Sequence, residues 1–175
     1  MNQELIKQAS QSLAIQAVYL RSSQIRCKEN FLPPWFQTDF ALTPQLRYGA
    51  TGKLRFIVPE QTATDDAPRL VLFYFATGVR LIDDAALTAA DQESTIPDEA
   101  VYLEIECEFC AHYQLAPTAD IEALGPALEE FGRYNLAYHV WPYWREYVQS
   151  VSVRMAIPPI PIPMYRVPAP DRSEK

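Results

Sequence analysis

Apolar and polar positions alternate with period two along much of this chain, most clearly between Ala100 and Leu115. There Leu103, Ile105, Cys107, Phe109, Ala111, Tyr113 and Leu115 fall on one face, and Tyr102, Glu104, Glu106, Glu108, Cys110, His112 and Gln114 on the other. Side chains of a strand point alternately to its two faces, so the pattern predicts a strand with the first set on a core and a ladder of three glutamates towards water. Arg69 to Ile82 predicts a second strand, apolar on both faces near its start through Leu70, Leu72 and Tyr74 against Val71, Phe73 and Phe75, with Gly78 marking a bulge or a close approach. Leu13 to Lys28 alternates well at first and then breaks step, which predicts a strand that bends or bulges. Leu46 to Val58 reads as a weaker strand or a hairpin turning at Gly49 or Gly52.

The period lengthens towards the C-terminus. Asp120 is placed to cap a helix over Ile121 to Phe131, which Gly132 and Asn135 then break. A longer helix is expected to start near Trp141-Pro142, where a first-turn proline is tolerated, and to bury the stripe Trp144, Val148, Val151 and Met155. Pro158 and Pro159 end it, leaving 157–166 extended and 167–175 as a loose tail. Between these elements lie the proline and aromatic connection Asn30 to Pro44 and two acidic loops, Glu60 to Pro68 and Asp83 to Glu99, the latter with a short helical turn at Ala85–Ala90. Strands followed by a helix, without strand–helix–strand alternation, indicate an α+β fold with an antiparallel sheet in one domain over 1–166.

Composition narrows the function. With 15 basic and 22 acidic residues the net charge is −7, which argues against nucleic acid as the main partner. Glycine is scarce at 5 and proline abundant at 15, the reverse of an enzyme built on phosphate-cradling loops. The longest apolar run, Leu70 to Ala76, is far too short to span a bilayer. The N-terminus lacks a basic start and an apolar core, and the cysteine count is odd, so a reducing cytoplasm is expected.

Candidate chemistry is sparse. Cys107 and Cys110 form a C-x-x-C, but mid-strand positions i and i+3 point apart and cannot share a metal or an unstrained disulfide. His112 reads as a surface strand residue and His139 as one flanking the helix. No Gly-x-Ser-x-Gly or complete P-loop is present, so no catalytic residue, metal site or cofactor is assigned. The sequence points to a binding protein. Trp35, Phe36 and Phe40, on a proline-broken connection, are hard to bury and suit an oligomer interface or a groove for extended peptide. Glu104, Glu106 and Glu108 repel one another along their strand, which a basic partner would relieve.

The segment Asn135-Leu-Ala-Tyr-His-Val-Trp-Pro-Tyr-Trp-Arg-Glu-Tyr-Val, followed by Met155-Ala-Ile-Pro-Pro-Ile-Pro-Ile-Pro, resembles the SecB family of protein-export chaperones. The family's Pro-Tyr-x-Arg-Glu helix start is matched by Pro142, Tyr143, Arg145 and Glu146, and its proline-rich loop by Ile157 to Pro163. Gln16-Ala-Val-Tyr19 is similar to its first strand, Phe36-Gln-Thr-Asp39-Phe40 to its aromatic crossover loop, and Glu106 with Tyr113 to its later strand. Ala111-His112-Tyr113 stands where the family has Gly-x-Phe, Met155-Ala156 replaces its glycine, and Pro168 and Pro170 leave no room for its second C-terminal helix.

The resemblance implies four antiparallel strands on a long helix, assembled as a dimer of dimers in which four copies at −7 each carry −28. It implies an ATP-independent holdase for unfolded polypeptides, with Trp35, Phe36, Phe40, Tyr113, Ile157 and Ile160 as client contacts. Glu104, Glu106 and Glu108 are the expected docking positions for a partner such as the export motor SecA, although Ser22 and Arg26 occupy positions that are acidic in the family. A chaperone dedicated to one client, such as an antitoxin, and a non-catalytic oligomeric adaptor stay open as alternatives.

Overall fold

The computed structural model describes residues 1–29, 31, 42–57, 68–84, 86 and 96–166. The order is α1 (Gln3–Ser12), β1 (Leu13–Cys27), β2 (Leu42–Ile57), β3 (Leu70–Asp83), β4 (Val101–Leu115), α2 (Ile121–Tyr134) and α3 (Leu136–Arg154). The strands make one antiparallel sheet in the order β1-β4-β3-β2, with the helices on one face. The expected α+β architecture, four antiparallel strands packed on a long C-terminal helix, is present.

Sheet order explains the burial. β3 and β4 are central, so Val71, Phe73 and Phe75 and Leu103, Ile105, Phe109 and Tyr113 meet Leu128, Phe131, Val140, Trp144 and Val148 of the helices in one core. β1 and β2 are edges. β1 slips register between Ile15 and Ala17 and again between Leu20 and Ser22, the bulges its broken alternation predicts. Each slip exchanges faces, so Ile15, Val18, Leu20 and Ile25 all lie on the helix side although the sequence numbers change parity. β2 is one long strand and not a hairpin. The register shift between Ala50 and Leu54 is a bulge at Gly52, whose φ of +73° suits a residue without a Cβ. Gly78 stays in regular register with Arg47 and Glu106, so the bulge or close approach expected there is absent.

α1 was not predicted. Asn2 caps it, its side chain accepting from Glu4 N–H at 3.1 Å and Leu5 N–H at 3.3 Å, and Ala9 is buried. Asp120 caps α2 as expected, accepting from Glu122 N–H at 3.0 Å and Ala123 N–H at 3.3 Å. α3 begins at Leu136, earlier than Trp141-Pro142. Pro142 lies inside it; the carbonyl of Tyr138 that loses its partner belongs to an exposed residue, where water can serve. The predicted stripe is buried at Trp144, Val148 and Val151, half-buried at Met155, and extended backwards by Leu136 and Val140.

α3 ends in a Schellman turn. Ile157 N–H donates to Ser152 O at 3.0 Å and Ala156 N–H to Val153 O at 3.1 Å, while Ala156 adopts φ +54°. The proline segment then returns across α3 in extended form, burying Ile157, Ile160 and Ile162. Trp35, Phe36 and Phe40, the turn expected at Ala85–Ala90 apart from residue 86, and the 167–175 tail lie outside the described residues.

Candidate functional site

The candidate site lies along the helix-facing side of edge strand β2. A trough of about 580 Å³ separates β2 from α2, with Leu54, Phe73, Leu128 and Leu136 as its apolar floor and Lys53, Glu129 and Arg133 at its rim. Gly132 lets α2 approach the sheet here, since a Cβ would meet the Phe73 ring at 3.3 Å. Further along β2, Tyr48 stacks edge-on against Trp141 with centroids 4.8 Å apart, and Tyr165 lies 5.1 Å from Trp141 and 6.3 Å from Tyr48. Tyr48 remains 53% exposed.

The proline segment is pinned beside these rings. Trp141 Nε1–H donates to Pro163 O at 2.6 Å and Arg145 Nε–H to Ile162 O at 3.0 Å. Side-chain donors thus hold an extended backbone whose prolines cannot donate to a ladder. Among the described residues the outer edge of β2 has no neighbouring strand, so its backbone groups can pair with an added strand. Apolar floor, exposed aromatic and free strand edge together suit an extended polypeptide.

The described residues expected to contact a client are elsewhere. Tyr113 is core, 1% exposed, its ring 5.4 Å from Phe73 and 5.5 Å from Phe131. Its hydroxyl is 2.6 Å from His139 Nδ1, and burial raises the phenol pKa and lowers that of His139. His139 is therefore inside α3 as the partner of a core tyrosine, not a flanking surface residue. Ile157 and Ile160 are also buried, because the proline segment turns its isoleucines onto α3. Sequence reasoning missed Tyr48, Leu54, Leu128 and Leu136, which come together only when β2 lies beside α2. The one signal was the glycine pair Gly49 and Gly52 in an otherwise strand-like run.

The glutamate ladder also needs correction. Glu104 is buried, with a side chain only 7% exposed. It is held by Arg26 of β1, Arg47 of β2 and Arg80 of β3. Glu106 accepts from Arg26 at 2.8 Å and Arg47 at 2.9 Å, and Glu108 lies 3.9 Å from Lys53. Burial pushes the Glu104 carboxyl up, but hydrogen bonds from Arg26 and Arg80, with their charges, outweigh this and hold it below the usual carboxylate range. The repulsion inferred for an isolated strand is relieved within the chain, because strands distant in sequence bring arginines alongside.

Cys107 and Cys110 face opposite sides of the sheet, the first paired with Thr77 and the second with Tyr74. Burial pushes the Cys107 thiol up to about 12. Among the described residues no group of three or more His, Cys, Asp or Glu could hold a metal ion, and no helix is long and apolar enough to cross a membrane.

No family model and no curated protein matches this sequence. Among solved structures, the Mycobacterium tuberculosis Rv1957 SecB-like chaperone aligns with a TM-score of 0.65 over 95% of this chain and 100% of that one. The fold is SecB-like. Sequence identity is 16%, so the likeness lies in the path of the backbone. That neighbour was solved in complex with a ChAD peptide from the Rv1956 HigA1 antitoxin.

Proposed function

We propose that this protein is a chaperone of the ATP-independent holdase type, which shields non-native polypeptides by laying them along the helix-facing side of β2. The observation that carries this reading is the apolar trough beside a strand edge with no neighbouring strand among the described residues, in a fold whose solved neighbour holds a peptide. Backbone pairing with an edge is indifferent to sequence, and an apolar floor selects chains that expose their cores. The crossover aromatics Trp35, Phe36 and Phe40 are proposed as further contacts. Release needs no nucleotide; it follows handover or folding of the client.

A homo-oligomer, a tetramer by family analogy, completes the proposal. Ile15, Leu20 and Ile25 on the helix side of β1 are 46%, 37% and 43% exposed, an apolar row on an edge strand that a second copy can cover. Three free cysteines suit work in the cytoplasm. Within the chaperone class, service to a single client such as an antitoxin is favoured over general export. The solved neighbour holds an antitoxin peptide, and the carboxylates expected to dock SecA are occupied by arginines.

The test is suppression of aggregation of chemically denatured citrate synthase, followed by light scattering. Ala50 is exposed and lines the trough, so Ala50→Glu puts a charge where apolar chain must lie without emptying the core. It should reduce suppression at least fivefold with an unchanged melting temperature, and Phe36→Ala with Phe40→Ala should act in the same direction. Equal suppression by wild type and Ala50→Glu would sink this groove, and no suppression by wild type would favour the adaptor reading.

A further inference from the structure

The sheet face opposite the helices carries a charge of the wrong sign for the chain. Arg26, Lys28, Arg47, Lys53, Arg55 and Arg80 reach it, against Glu104, Glu106, Glu108 and the adjacent Asp98. Among the described residues this leaves seven basic and ten acidic for the rest, so a face of net +2 sits beside a described remainder of net −3. The cations are accessible: the side chains of Arg26, Arg47 and Lys53 are 50%, 52% and 73% exposed.

The face is also shaped. Gly49, Ala76 and Gly78 leave a depression of about 320 Å³ beside Arg47 and Glu106, where a visiting side chain can descend to the backbone. A second cavity of about 460 Å³ opens among Arg26, Lys28 and Arg80, with Glu104 and Asp98 also in its wall, at the far end of the same face. Arg47 meets both glutamates through Nη2, and among the described residues its Nε–H and Nη1 hydrogens have no acceptor.

We propose that this outer sheet face docks an acidic segment of a partner polypeptide, its carboxylates seated at the Arg47 depression and at the Arg26, Lys28 and Arg80 cavity. A nucleic acid fits less well, because a polyphosphate needs a run of unpaired cations, and three of the guanidinium groups already hold carboxylates while the surplus is small. A short acidic peptide needs only a few cations, and complementary charge sets its specificity and on-rate. The face lies on the other side of the sheet from the trough and meets it only along β2, where Gly49 and Ala50 line both hollows and Lys53 stands at the trough's rim, so the test leaves those three residues unchanged and the proposal goes beyond the holdase reading.

The experiment uses the full chain and a fluorescently labelled 12-residue glutamate-rich peptide, with its glutamine counterpart and a poly-uridine 12-mer as comparisons. Polarisation should show the acidic peptide binding a protein of net −7, with affinity falling about tenfold in Lys28→Gln/Arg47→Gln/Arg55→Gln. Lys7→Gln/Arg154→Gln, which removes two cations from the helix layer, should stay within twofold of wild type. Melting temperatures establish that all variants are folded. Equal binding of glutamate and glutamine peptides, or equal loss in both variants, would overturn the proposal. So would tighter binding of poly-uridine, which would make the occupant a nucleic acid. Loss of self-association in the triple variant by light scattering would make it a second copy, with the same consequence.

Discussion

The hydroxyl of Tyr113 in β4 meets Nδ1 of His139 in α3 at 2.6 Å, joining the central strand to the long helix by a polar contact inside an aromatic cluster. Which of the two donates is set by the imidazole tautomer. Protonation would make both ring nitrogens donors and place a charge beside Phe131 and Tyr113.

Burial therefore lowers the His139 pKa below its ordinary value. The unfolded chain binds the proton more readily than the folded one. His139 thus contributes stability that is fully present above its unfolded pKa of about 6.5 and lost as pH falls towards the lower folded value. Urea midpoints between pH 7.5 and 5 should fall more for wild type than for His139→Gln. Parallel curves would show that His139 binds its proton equally well in the folded and unfolded chain, against the lowered value. Tyr113→Phe, which leaves Nδ1 without its partner, should cost about 1–3 kcal/mol at neutral pH.

Glu104 joins all four strands through arginines of β1, β2 and β3. Glu104→Ala leaves Arg26, Arg47 and Arg80 facing one another and should lower stability by about 2 kcal/mol in urea titration. The loss should shrink in high salt, which screens the exposed arginines. As the Glu104 pKa is lowered, its contribution is present above the unfolded carboxyl value and disappears as pH falls through the folded one.

Ile160 is 3% exposed beneath the proline segment. Ile160→Ala should destabilise by about 2–4 kcal/mol, leaving a cavity over α3. Suppression of citrate synthase aggregation, corrected for the folded fraction, should not change. Weakened holding with an unaltered melting temperature would restore Ile160 to the client contacts.

Ala156 holds φ +54° at the end of α3, a conformation in which its Cβ is crowded. Ala156→Gly should raise stability by about 1 kcal/mol, provided the relief of strain exceeds the entropy gained by the unfolded chain. A lowered melting temperature would show that the turn tolerates the Cβ without strain.

Local physics wrote much of the fold into the sequence. Period two across Leu103 to Leu115 reveals which side chains share a core, because a strand has only two faces. Asp120 marks the start of α2 because its carboxylate satisfies orphan amides within three residues. The spacing of Trp144, Val148 and Val151 fixes the buried side of α3. Those relations span a few residues and need no partner. The fate of the other faces depends on neighbours distant in sequence. Glu104 looks solvent-exposed along its own strand, and only the order β1-β4-β3-β2 brings Arg26 and Arg80 to its flanks and Arg47 within reach. Tyr113, Ile157 and Ile160 are apolar enough for either a groove or a core, and the choice was made by α2, α3 and the returning proline segment. The trough belongs wholly to tertiary structure: Leu54 and Leu128 have no local periodic relation, and they line one cavity because the bulged β2 edge comes to lie beside α2.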